Sequence, residues 1–580
     1  MNKVHILPPE VISKIAAGEV IERPASVLKE LIENSLDAQA ESIEVIVKQA
    51  GKTFIQIKDN GTGIDPDDIE KIFLRHSTSK ITRLSDLFNI FSLGFRGEAL
   101  YSIAAVSDIT LRSKTKREDN GWEIHIRGGE KRGLRPAALG HGTQVEIKEL
   151  FFNTPARRKF LKSDTTELHQ IINTFTPYVI LYPKKRFALT HNNKIILDLS
   201  GDKDHLSRTA KALNLKPEHI LQREKNFDDK KLSLRLLLGD INIKRTRKDM
   251  QFIFVNNRPV YNRQINFHLN QTYKLILPSE IYPFFAVYIT IPPEDTDVNI
   301  HPTKREVKIK DEFKIAALLS SLCKETLLSR GKAKQVENIP FLSDNAPLLN
   351  RSPYPSGQDL NLNESSQRTY AFGPAKPDVP PQENIFSQPT DHSLKAKLSK
   401  ANYIGVFLKK YIFFESGRSL CVIDQHAAQE RITYEQLIDQ IENGRVEVQH
   451  LLKPIILSVT AQEIVLWEVL KDILEKMGLS TTLWDNQNIA LHTHPLLIKQ
   501  PEISLRNLLS GEARSNLDTD SLARRACRNS LMAGYHVSQE QAEYLRRQLI
   551  KCKDPFACPH GRPTVVEIKE AVLEKEFLRK

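Results

Sequence analysis

The chain has 580 residues, 40% of them hydrophobic, and one hydrophobic core rarely serves more than about 300 residues, so we expect roughly three or four domains. The formal net charge of +12 indicates an anionic partner, and the lack of a basic amphipathic helix or lipidation motif favours nucleic acid over a membrane. No apolar run approaches the about 20 residues of a membrane span and residues 1–9 lack a signal-peptide core, so membrane classes are excluded and a cytoplasmic protein is expected.

The first predicted helix carries a polar stripe beside its apolar face. Pro24 suits a first helical turn, and apolar residues recur at helical spacing from Val27 to Ile32. The stripe consists of Glu30, Glu33, Asn34 and Asp37. A solvated acidic stripe is the usual interpretation. An alternating hairpin follows and ends at Asp59-Asn60-Gly61-Thr62-Gly63, which suits close approach of the backbone to a ligand.

Two later loops are rich in hydroxyls, glycine and cations, the groups that hold phosphate. Their sequences are Arg75-His76-Ser77-Thr78-Ser79-Lys80 and Gly94-Phe95-Arg96-Gly97-Glu98-Ala99-Leu100. Turn glycines and surface charge would explain either loop alone, but the ordered series of loops indicates a nucleotide site. Gly51-Lys52-Thr53 is not the end of a P-loop, because the required upstream glycine is Ile46.

The order of these motifs resembles that of the GHKL ATPases. The motifs are Glu30-x-x-x-Asn34, Asp59-x-Gly61-x-Gly63, Gly94-Phe95-Arg96-Gly97 and Gly142-Thr143. The exact residues of these motifs resemble those of the MutL mismatch-repair family. Two further segments, Ile15-Ala16-Ala17-Gly18-Glu19-Val20 and the run from Phe151 to Leu161, share this resemblance. The resemblance implies a multidomain α+β protein whose residues 1–215 form a GHKL (Bergerat) α/β sandwich that binds ATP and Mg²⁺.

The resemblance also implies roles for individual residues. Glu30 is expected to be the general base for the water that attacks the γ-phosphate, and Asn34 to hold Mg²⁺. Asp59 is expected to accept from the adenine amino group, and Thr143 to close the adenine pocket. The further nucleotide-binding residues, chiefly in the phosphate lid, are Gly63, Thr78, Ser79, Lys80, Gly94, Phe95, Arg96, Gly97, Glu98, Ala99 and Leu100.

Residues 216–331 alternate strand-like runs with a helical pattern, which predicts a small α+β domain. The resemblance identifies it as a transducer domain with a right-handed βαβ unit, whose Lys304 reaches the γ-phosphate. A basic cluster in this domain could follow a DNA backbone without reading sequence, although solvated surface charge explains it equally well. Its residues are Lys244, Arg245, Arg247, Lys248, Arg258 and Arg263, and the family pattern favours Arg263.

Residues 332–398 are rich in Pro, Asn, Gln and Ser, a composition that cannot build a core and predicts a disordered linker. Residues 399–580 then form an α/β C-terminal domain. Asp424 lies where a predicted strand becomes a helix, and His426 and Glu430 share one face of that helix. These residues suit either a helix cap with solvated charges or, with Cys558 and His560, a site for Zn²⁺ or Mn²⁺.

Several segments of this domain resemble the endonuclease-proficient branch of the MutL family: Asp424-Gln425-His426-Ala427 with Glu430 and Glu435, Ala526-Cys527-Arg528, Cys558 to Pro563, and Phe577-x-Arg579. The resemblance implies that Asp424 and Glu430 are catalytic in metal-assisted hydrolysis of one DNA strand, with a ligand set of Asp424, His426, Glu430, Cys558 and His560. Cys527 is a candidate ligand for a second ion. The alternative is a non-nucleolytic, ATP-dependent matchmaker that carries a structural or regulatory zinc.

The remaining expectations concern partners. The segment Gln449-His450-Leu451-Leu452-Lys453-Pro454 fits a Gln-x-x-Leu-x-Pro pattern for docking on the replication sliding clamp, through Gln449, Leu452 and Pro454, although a plain edge strand is an equal alternative. The resemblance further implies a homodimer through the C-terminal domain, the mismatch-recognition protein MutS as a partner, and sequence-independent binding of DNA.

Overall fold

The structure is a computed structural model. It describes residues 21–80, 92–94, 97–228, 231–243, 245–274, 276–277, 281–297, 307–334, 392–510, 519–527 and 537–577. Helices and sheets are mixed along the whole chain, so the predicted multidomain α+β class is confirmed. Among the described residues, no helix is both long and apolar enough to cross a membrane.

The N-terminal unit is built on one large sheet with helices packed against it. Its elements are α1 (Pro24–Asp37), β1 (Ser42–Lys48), β2 (Phe54–Asp59), α2 (Ala99–Ala105), β3 (Asp108–Lys114), β4 (Gly121–Arg127), β5 (Glu130–Ala137), β6 (Gly142–Lys148), α3 (Pro155–Phe160), α4 (Asp164–Leu181), β7 (Arg186–His191), β8 (Lys194–Leu199) and α5 (His205–Leu213). The eight strands lie in the order β5-β4-β3-β6-β2-β1-β7-β8.

The register of this sheet brings two distant motifs together. β2 pairs antiparallel with β6 so that Asp59 lies opposite Thr143, and β3 places Ser113 on the other side of Thr143. β1 pairs in parallel with β7, which is the only parallel pair among the described strands of this sheet. The apolar face of α1 and the inward side chains of β1 and β2 form the core.

The second unit is a smaller sheet covered by two helices. Its elements are β9 (Ile220–Phe227), β10 (Leu232–Gly239), β11 (Gln251–Val255), β12 (Arg258–Val260), α6 (Arg263–Tyr273), β13 (Phe285–Thr290), β14 (Thr296–Asp297), β15 (Lys308–Ile309) and α7 (Glu312–Lys334). β11 and β13 are parallel neighbours with α6 between them in sequence, which is a βαβ arrangement. The second unit therefore has the α+β organisation that the periodicity predicts.

The C-terminal unit contains two sheets. Its elements are α8 (His392–Ser399), β16 (Asn402–Phe407), β17 (Tyr411–Ser416), β18 (Ser419–Asp424), α9 (Gln425–Glu442), β19 (Val448–Ser458), α10 (Ala461–Lys476), β20 (Thr481–Asp485), β21 (Asn488–Pro495), α11 (Pro501–Leu509), α12 (Thr519–Cys527), α13 (Gln539–Lys551), β22 (Val565–Lys569) and α14 (Glu570–Glu576). The sheet orders are β16-β17-β18-β22 and β19-β21-β20.

Helix α9 is shared by the two hydrophobic clusters of this unit. Ala428 and Ile432 pack in the cluster of the four-stranded sheet, whereas Tyr434 and Leu437 pack in the cluster of the three-stranded sheet. Residues 335–391 of the predicted linker lie outside the described residues. Its predicted end at 398 is corrected, because Leu394 and Leu398 are fully buried in the C-terminal core.

Candidate nucleotide site and candidate metal centre

One cavity of about 2110 Å³ collects the predicted nucleotide residues that the structure describes. Those lining it are Glu30, Asn34, Asp59, Gly63, Thr78, Ser79, Lys80, Gly94, Gly97, Glu98, Ala99, Leu100 and Thr143. Phe95, Arg96 and Lys304 lie outside the described residues. Motifs separated by more than a hundred residues in sequence therefore face one space, which is large enough for a nucleotide.

The Asp59 carboxylate is held by polar groups at the wall of this cavity. It accepts hydrogen bonds from the Ser35 hydroxyl at 2.8 Å and from the Gly61 N–H at 2.9 Å. Burial raises the pKa of Asp59, while hydrogen bonds from Gly61, Ser35 and Thr143 act in the lowering direction. A buried carboxylate beside open space suits an amino group of a ligand, as the expected adenine contact requires.

Two glycines allow the backbone to pass close to its neighbours at this site. Gly63 has φ of +75°, and a Cβ there would lie 2.3 Å from the Lys114 carbonyl oxygen. Gly97 has φ of +62°, and a Cβ there would lie 2.5 Å from the Ser77 carbonyl oxygen. A side chain at either position would force the backbone apart, which explains why both motifs need glycine.

Three residues of the polar stripe of α1, Glu30, Asn34 and Asp37, line the cavity, and two of them bind a lysine of the same chain. Lys80 Nζ donates to Asn34 Oδ1 at 3.1 Å and to Asp37 Oδ2 at 2.6 Å. Lys29 Nζ lies 3.6 Å from the Glu30 carboxylate. Since an ammonium already sits against the Asn34 oxygen, this position fits the cation-binding role expected of Asn34.

Asp37 is a site residue that sequence reasoning placed on the stripe without a role. Its carboxylate accepts the backbone N–H of Leu93 at 2.9 Å and of Gly94 at 3.1 Å. It therefore anchors the start of the glycine-rich phosphate loop to α1. Its position three residues after Asn34, on the same helical face, is a signal that could have identified it.

The prediction that Arg258 binds DNA is corrected by its position. Its side chain is buried, 7% exposed, and donates to the carbonyl oxygens of Ser92 and, at 3.2 Å, of Leu93. Burial lowers the pKa of Arg258, and Glu33 and Asp37 act in the raising direction. This guanidinium lies at the nucleotide cavity and is not available to a DNA backbone.

The prediction that Arg245 binds DNA is also corrected because its side chain is buried, whereas the prediction for Arg263 stands as a prediction. Arg245 is 6% exposed and pairs with Asp249 and with Glu463 of the C-terminal unit, both at 2.9 Å. Arg263 is exposed at the start of α6 and forms no ion pair with any residue that the structure describes. Lys244 lies outside the described residues. Of the six residues in the predicted DNA-binding cluster, Arg263 and Lys248 are described and exposed.

The candidate metal centre forms where α9 meets the loop before β22. The ligand atoms of Glu430, Cys558 and His560 all lie within 4.8 Å of one another. His426 Nε2 is 3.2 Å from Glu430 Oε1. Although burial acts in the raising direction, hydrogen bonds from His426 and His560 hold the pKa of Glu430 at about 2. One oxygen, one sulfur and two imidazoles form a donor set that fits zinc.

Asp424 fulfils the capping interpretation of its motif. Its Oδ1 accepts the backbone N–H of Ala427 at 2.9 Å, so it is the N-cap of α9. Its carboxylate is not in the cluster of Glu430, Cys558 and His560, the one such cluster among the described residues. The side chain of Cys527 lies outside the described residues.

Sequence reasoning missed the residues that hold the metal loop. Arg431 Nε donates to the Ala557 carbonyl oxygen at 2.5 Å, and the Glu435 carboxylate accepts the backbone N–H groups of Lys553 at 2.6 Å and Asp554 at 3.1 Å. Arg431 and Glu435 are four residues apart on α9 and their side chains lie 3.5 Å apart. That spacing, directly after Glu430, was the available signal.

The predicted clamp-docking segment lies on an edge strand with a bulge. β19 pairs with β21 through residues 448–450 and 455–458, and the register shifts between His450 and Ile455. Leu452 is fully exposed in the intervening stretch, and Gln449 is exposed beside it. The arrangement is compatible with both interpretations, a docking segment and a plain edge strand.

Comparisons with known proteins cover each unit of the chain. Residues 21–135 match the family described as "Histidine kinase-, DNA gyrase B-, and HSP90-like ATPase", residues 217–328 match "DNA mismatch repair protein, C-terminal domain", and residues 404–537 match "MutL C terminal dimerisation domain".

Whole-chain relatives carry one description. The chain is 35% identical to "DNA mismatch repair protein MutL" of Endomicrobium trichonymphae and 32% identical to that of Clostridium acetobutylicum, with 100% of both chains covered in each comparison. Among solved structures, the Aquifex aeolicus MutL ATPase domain complexed with ADP is 28% identical over 52% of this chain and 98% of that chain, with a TM-score of 0.39.

Proposed function

Because the chain belongs to the MutL family of DNA mismatch repair proteins, we propose that it is an ATP-driven DNA clamp whose C-terminal unit nicks one DNA strand. The observation that carries the nuclease part is the cluster of Glu430, Cys558 and His560, within 4.8 Å of one another. The N-terminal unit is an ATPase of the GHKL class. ATP that is bound and hydrolysed in its cavity would power the movement of the clamp.

In the proposed ATPase step, the Glu30 carboxylate accepts the proton of the water that attacks the γ-phosphate. Asn34, one turn further along the same face of α1, holds the Mg²⁺ that accompanies ATP and offsets the phosphate charge. Asp59 orients the adenine, and the loops around Lys80 and Gly97 cover the phosphates. This assignment is supported by the common cavity that these side chains line.

In the proposed clamp cycle, ATP draws the second unit towards the N-terminal unit and hydrolysis releases it. Lys304 reaches the γ-phosphate in this scheme, and Arg263 contacts the DNA backbone. The C-terminal unit holds two copies of the chain together, while MutS and the sliding clamp direct the assembly to its DNA. The exposure of Arg263 and of Leu452 supports their roles.

In the proposed nicking step, Glu430, His426, Cys558 and His560 bind the metal, and Asp424, which caps α9 beside them, is the second catalytic carboxylate, whose charge an amide cannot replace. The bound metal supplies Lewis-acid activation of water and of the scissile phosphate. Arg431 and Glu435 fix the loop that carries Cys558 and His560, so the donor set is preorganised. Such preorganisation reduces the reorganisation that binding would otherwise require.

A non-nucleolytic matchmaker with a structural zinc is the second candidate, and one observation favours it. Glu430 and Cys558 are buried, 4% and 1% exposed. Closed coordination by protein groups is typical of structural zinc, whereas catalytic zinc keeps a position open to water.

A nicking assay on supercoiled DNA with Mn²⁺ distinguishes these two functions. We expect Asp424→Asn and Glu430→Lys to abolish nicking, whereas Glu442→Gln, an exposed carboxylate at the end of the same helix, should nick like the wild type. If both site variants nick normally, the nuclease assignment is wrong. If the wild type binds zinc but never nicks with its clamp and ATP present, the matchmaker function is favoured.

The ATPase assignment is tested separately. Glu30→Ala should bind ATP and lose hydrolysis, because it removes the base without removing the adenine or phosphate contacts. Glu22→Ala, an exposed carboxylate just before the same helix, is the matched control. Normal turnover in Glu30→Ala would contradict the role of general base.

A further inference from the structure

A hairpin of the second unit forms part of the wall of the nucleotide cavity. β11 and β12 are joined by Asn256 and Asn257, whose φ angles of +47° and +60° are those of a tight two-residue hairpin turn. Both asparagines and Arg258 line the cavity. The second unit therefore contacts the nucleotide site through a rigid, short turn whose shape its sequence determines.

Two contacts attach this hairpin to the N-terminal unit. Arg258 donates to the carbonyl oxygens of Ser92 and Leu93, the latter at 3.2 Å. The Tyr182 hydroxyl donates to the Asn257 carbonyl oxygen at 3.2 Å. Because a guanidinium carries several donors in one plane, it can bridge two successive carbonyls, which a lysine ammonium cannot do with the same geometry.

The segment that Arg258 holds is also held from the opposite side. The backbone N–H groups of Leu93 and Gly94 donate to the Asp37 carboxylate, while carbonyl groups of the same segment accept from Arg258. Asp37 in turn accepts from Lys80, which also donates to Asn34. A continuous chain of hydrogen bonds thus runs from the second unit, through the base of the phosphate loop, to the side chain expected to hold Mg²⁺.

We propose that Arg258 is a positioning residue of the ATPase site, which fixes the base of the phosphate loop according to the position of the second unit. The proposal rests on the proposed ATP site and adds an attachment distinct from Lys304. Withdrawal of the hairpin leaves two carbonyls without their donor and loosens residues 92–94, so ATP affinity falls. By reciprocity, bound ATP stabilises the docked hairpin.

The charges around Arg258 are consistent with this role. Burial lowers the pKa of Arg258, and the carboxylates of Glu33 and Asp37, both on α1, act in the raising direction. The guanidinium has the Ser92 and Leu93 carbonyls as hydrogen-bond acceptors, and these carboxylates nearby, only while the two units are docked. A buried guanidinium without partners is costly, so docking is favoured over partial separation.

The experiment compares Arg258→Gln and Arg258→Lys with the wild-type full-length chain, measuring kcat and KM for ATP. We expect KM to rise about tenfold or more in Arg258→Gln, which corresponds to about 1.4 kcal/mol, while kcat at saturating ATP changes less than about threefold. Hydrogen exchange at the Leu93 and Gly94 amides should accelerate, with and without a non-hydrolysable ATP analogue. In Arg258→Lys, the rise in KM should be smaller than in Arg258→Gln, but KM should stay above the wild-type value.

Arg235→Gln is the matched control, because Arg235 also lies in the second unit, on β10, but pairs with Glu224 away from the cavity. Unchanged KM and exchange in both Arg258 variants, with or without a lower melting temperature, would overturn the proposal. Wild-type KM together with wild-type amide exchange in Arg258→Lys would also overturn the proposal. If Arg258→Gln does not fold, the Lys variant decides. Absence of ATP hydrolysis in the wild type would instead overturn the proposed ATPase function.

Discussion

At the residue scale, Asp59 shows how a proposed binding group would affect folding. The residue is 9% exposed, and burial raises the pKa of its carboxyl above the usual 3.8. The folded protein therefore takes up this proton at a higher pH than the unfolded chain. The Asp59 contribution to the free energy of unfolding should rise as pH falls through the folded pKa, and should stop rising once the unfolded carboxyl is protonated too.

Replacing this residue should separate stability from binding. We expect Asp59→Asn to be at least as stable as the wild type at pH 7, because the buried charge is gone, and to lose ATP binding, because the acceptor for the adenine amino group is gone. Calorimetry from pH 7 to pH 4 and nucleotide titration measure the two effects. Asp67→Asn, an exposed carboxylate, is the control. Normal ATP affinity in Asp59→Asn would contradict the adenine assignment.

Arg263 and Arg245 provide a second comparison of single residues. We expect Arg263→Gln to weaken binding of duplex DNA and to reduce the salt dependence of log K by about one unit, as loss of one phosphate contact does. Arg245→Gln should leave DNA binding unchanged but destabilise the protein by about 3 kcal/mol, because the buried Glu463 would lose its ion pair and keep its hydrogen bonds from Thr460. Binding titrations at several salt concentrations and denaturant unfolding test both. The reverse pattern would restore Arg245 as a DNA contact.

At the scale of elements, the bulge in β19 presents side chains without disturbing the sheet. Leu452 is fully exposed, so Leu452→Ala should leave stability unchanged while it reduces affinity for the sliding clamp about tenfold, as loss of an apolar anchor does. Lys453→Ala, the exposed neighbour outside the pattern, is the control. Equal clamp binding by both variants would favour the plain edge-strand interpretation.

Local patterns predicted the elements better than their long-range pairing. Helical spacing and Pro24 identified α1, and alternation identified the hairpin of β1 and β2. No local pattern shows that β1 pairs in parallel with β7, which lies about 140 residues later, because register depends on packing across the sheet. The burial of Arg258 escaped prediction for the same reason, since its carbonyl partners lie in another unit of the chain.

The proximity of the candidate metal-binding residues was predictable in part, whereas metal binding itself stays a prediction. The spacing of His426 and Glu430 on one helical face placed them together, and the sequence analysis grouped Cys558 and His560 with them. The supporting contacts of Arg431 and Glu435 depend on how the loop folds back onto α9, which sequence spacing alone does not define.

At the scale of the whole molecule, the proposed nuclease would cut DNA without reading its sequence, so we expect the other units to control it. We expect the 392–580 fragment, which keeps the buried Leu394 and Leu398, to nick supercoiled DNA much more slowly than the full chain with ATP and the sliding clamp, because the fragment lacks Arg263 and the ATP site. Initial nicking rates at equal concentration measure this. The control is the full chain carrying Glu30→Ala, whose nicking rate should rise less with ATP and the sliding clamp than that of the wild type. A fragment as fast as the stimulated full chain would contradict the control scheme.

Helix α9 has a consequence for how the C-terminal unit unfolds. It begins with the proposed metal ligands His426 and Glu430, and its middle contributes to the hydrophobic clusters of both sheets. Because loss of α9 would remove packing from both clusters, we expect the two sheets to melt in one cooperative transition. A chelator should therefore shift the whole calorimetric peak to lower temperature without splitting it, and the ion would act as a stabiliser of the entire unit.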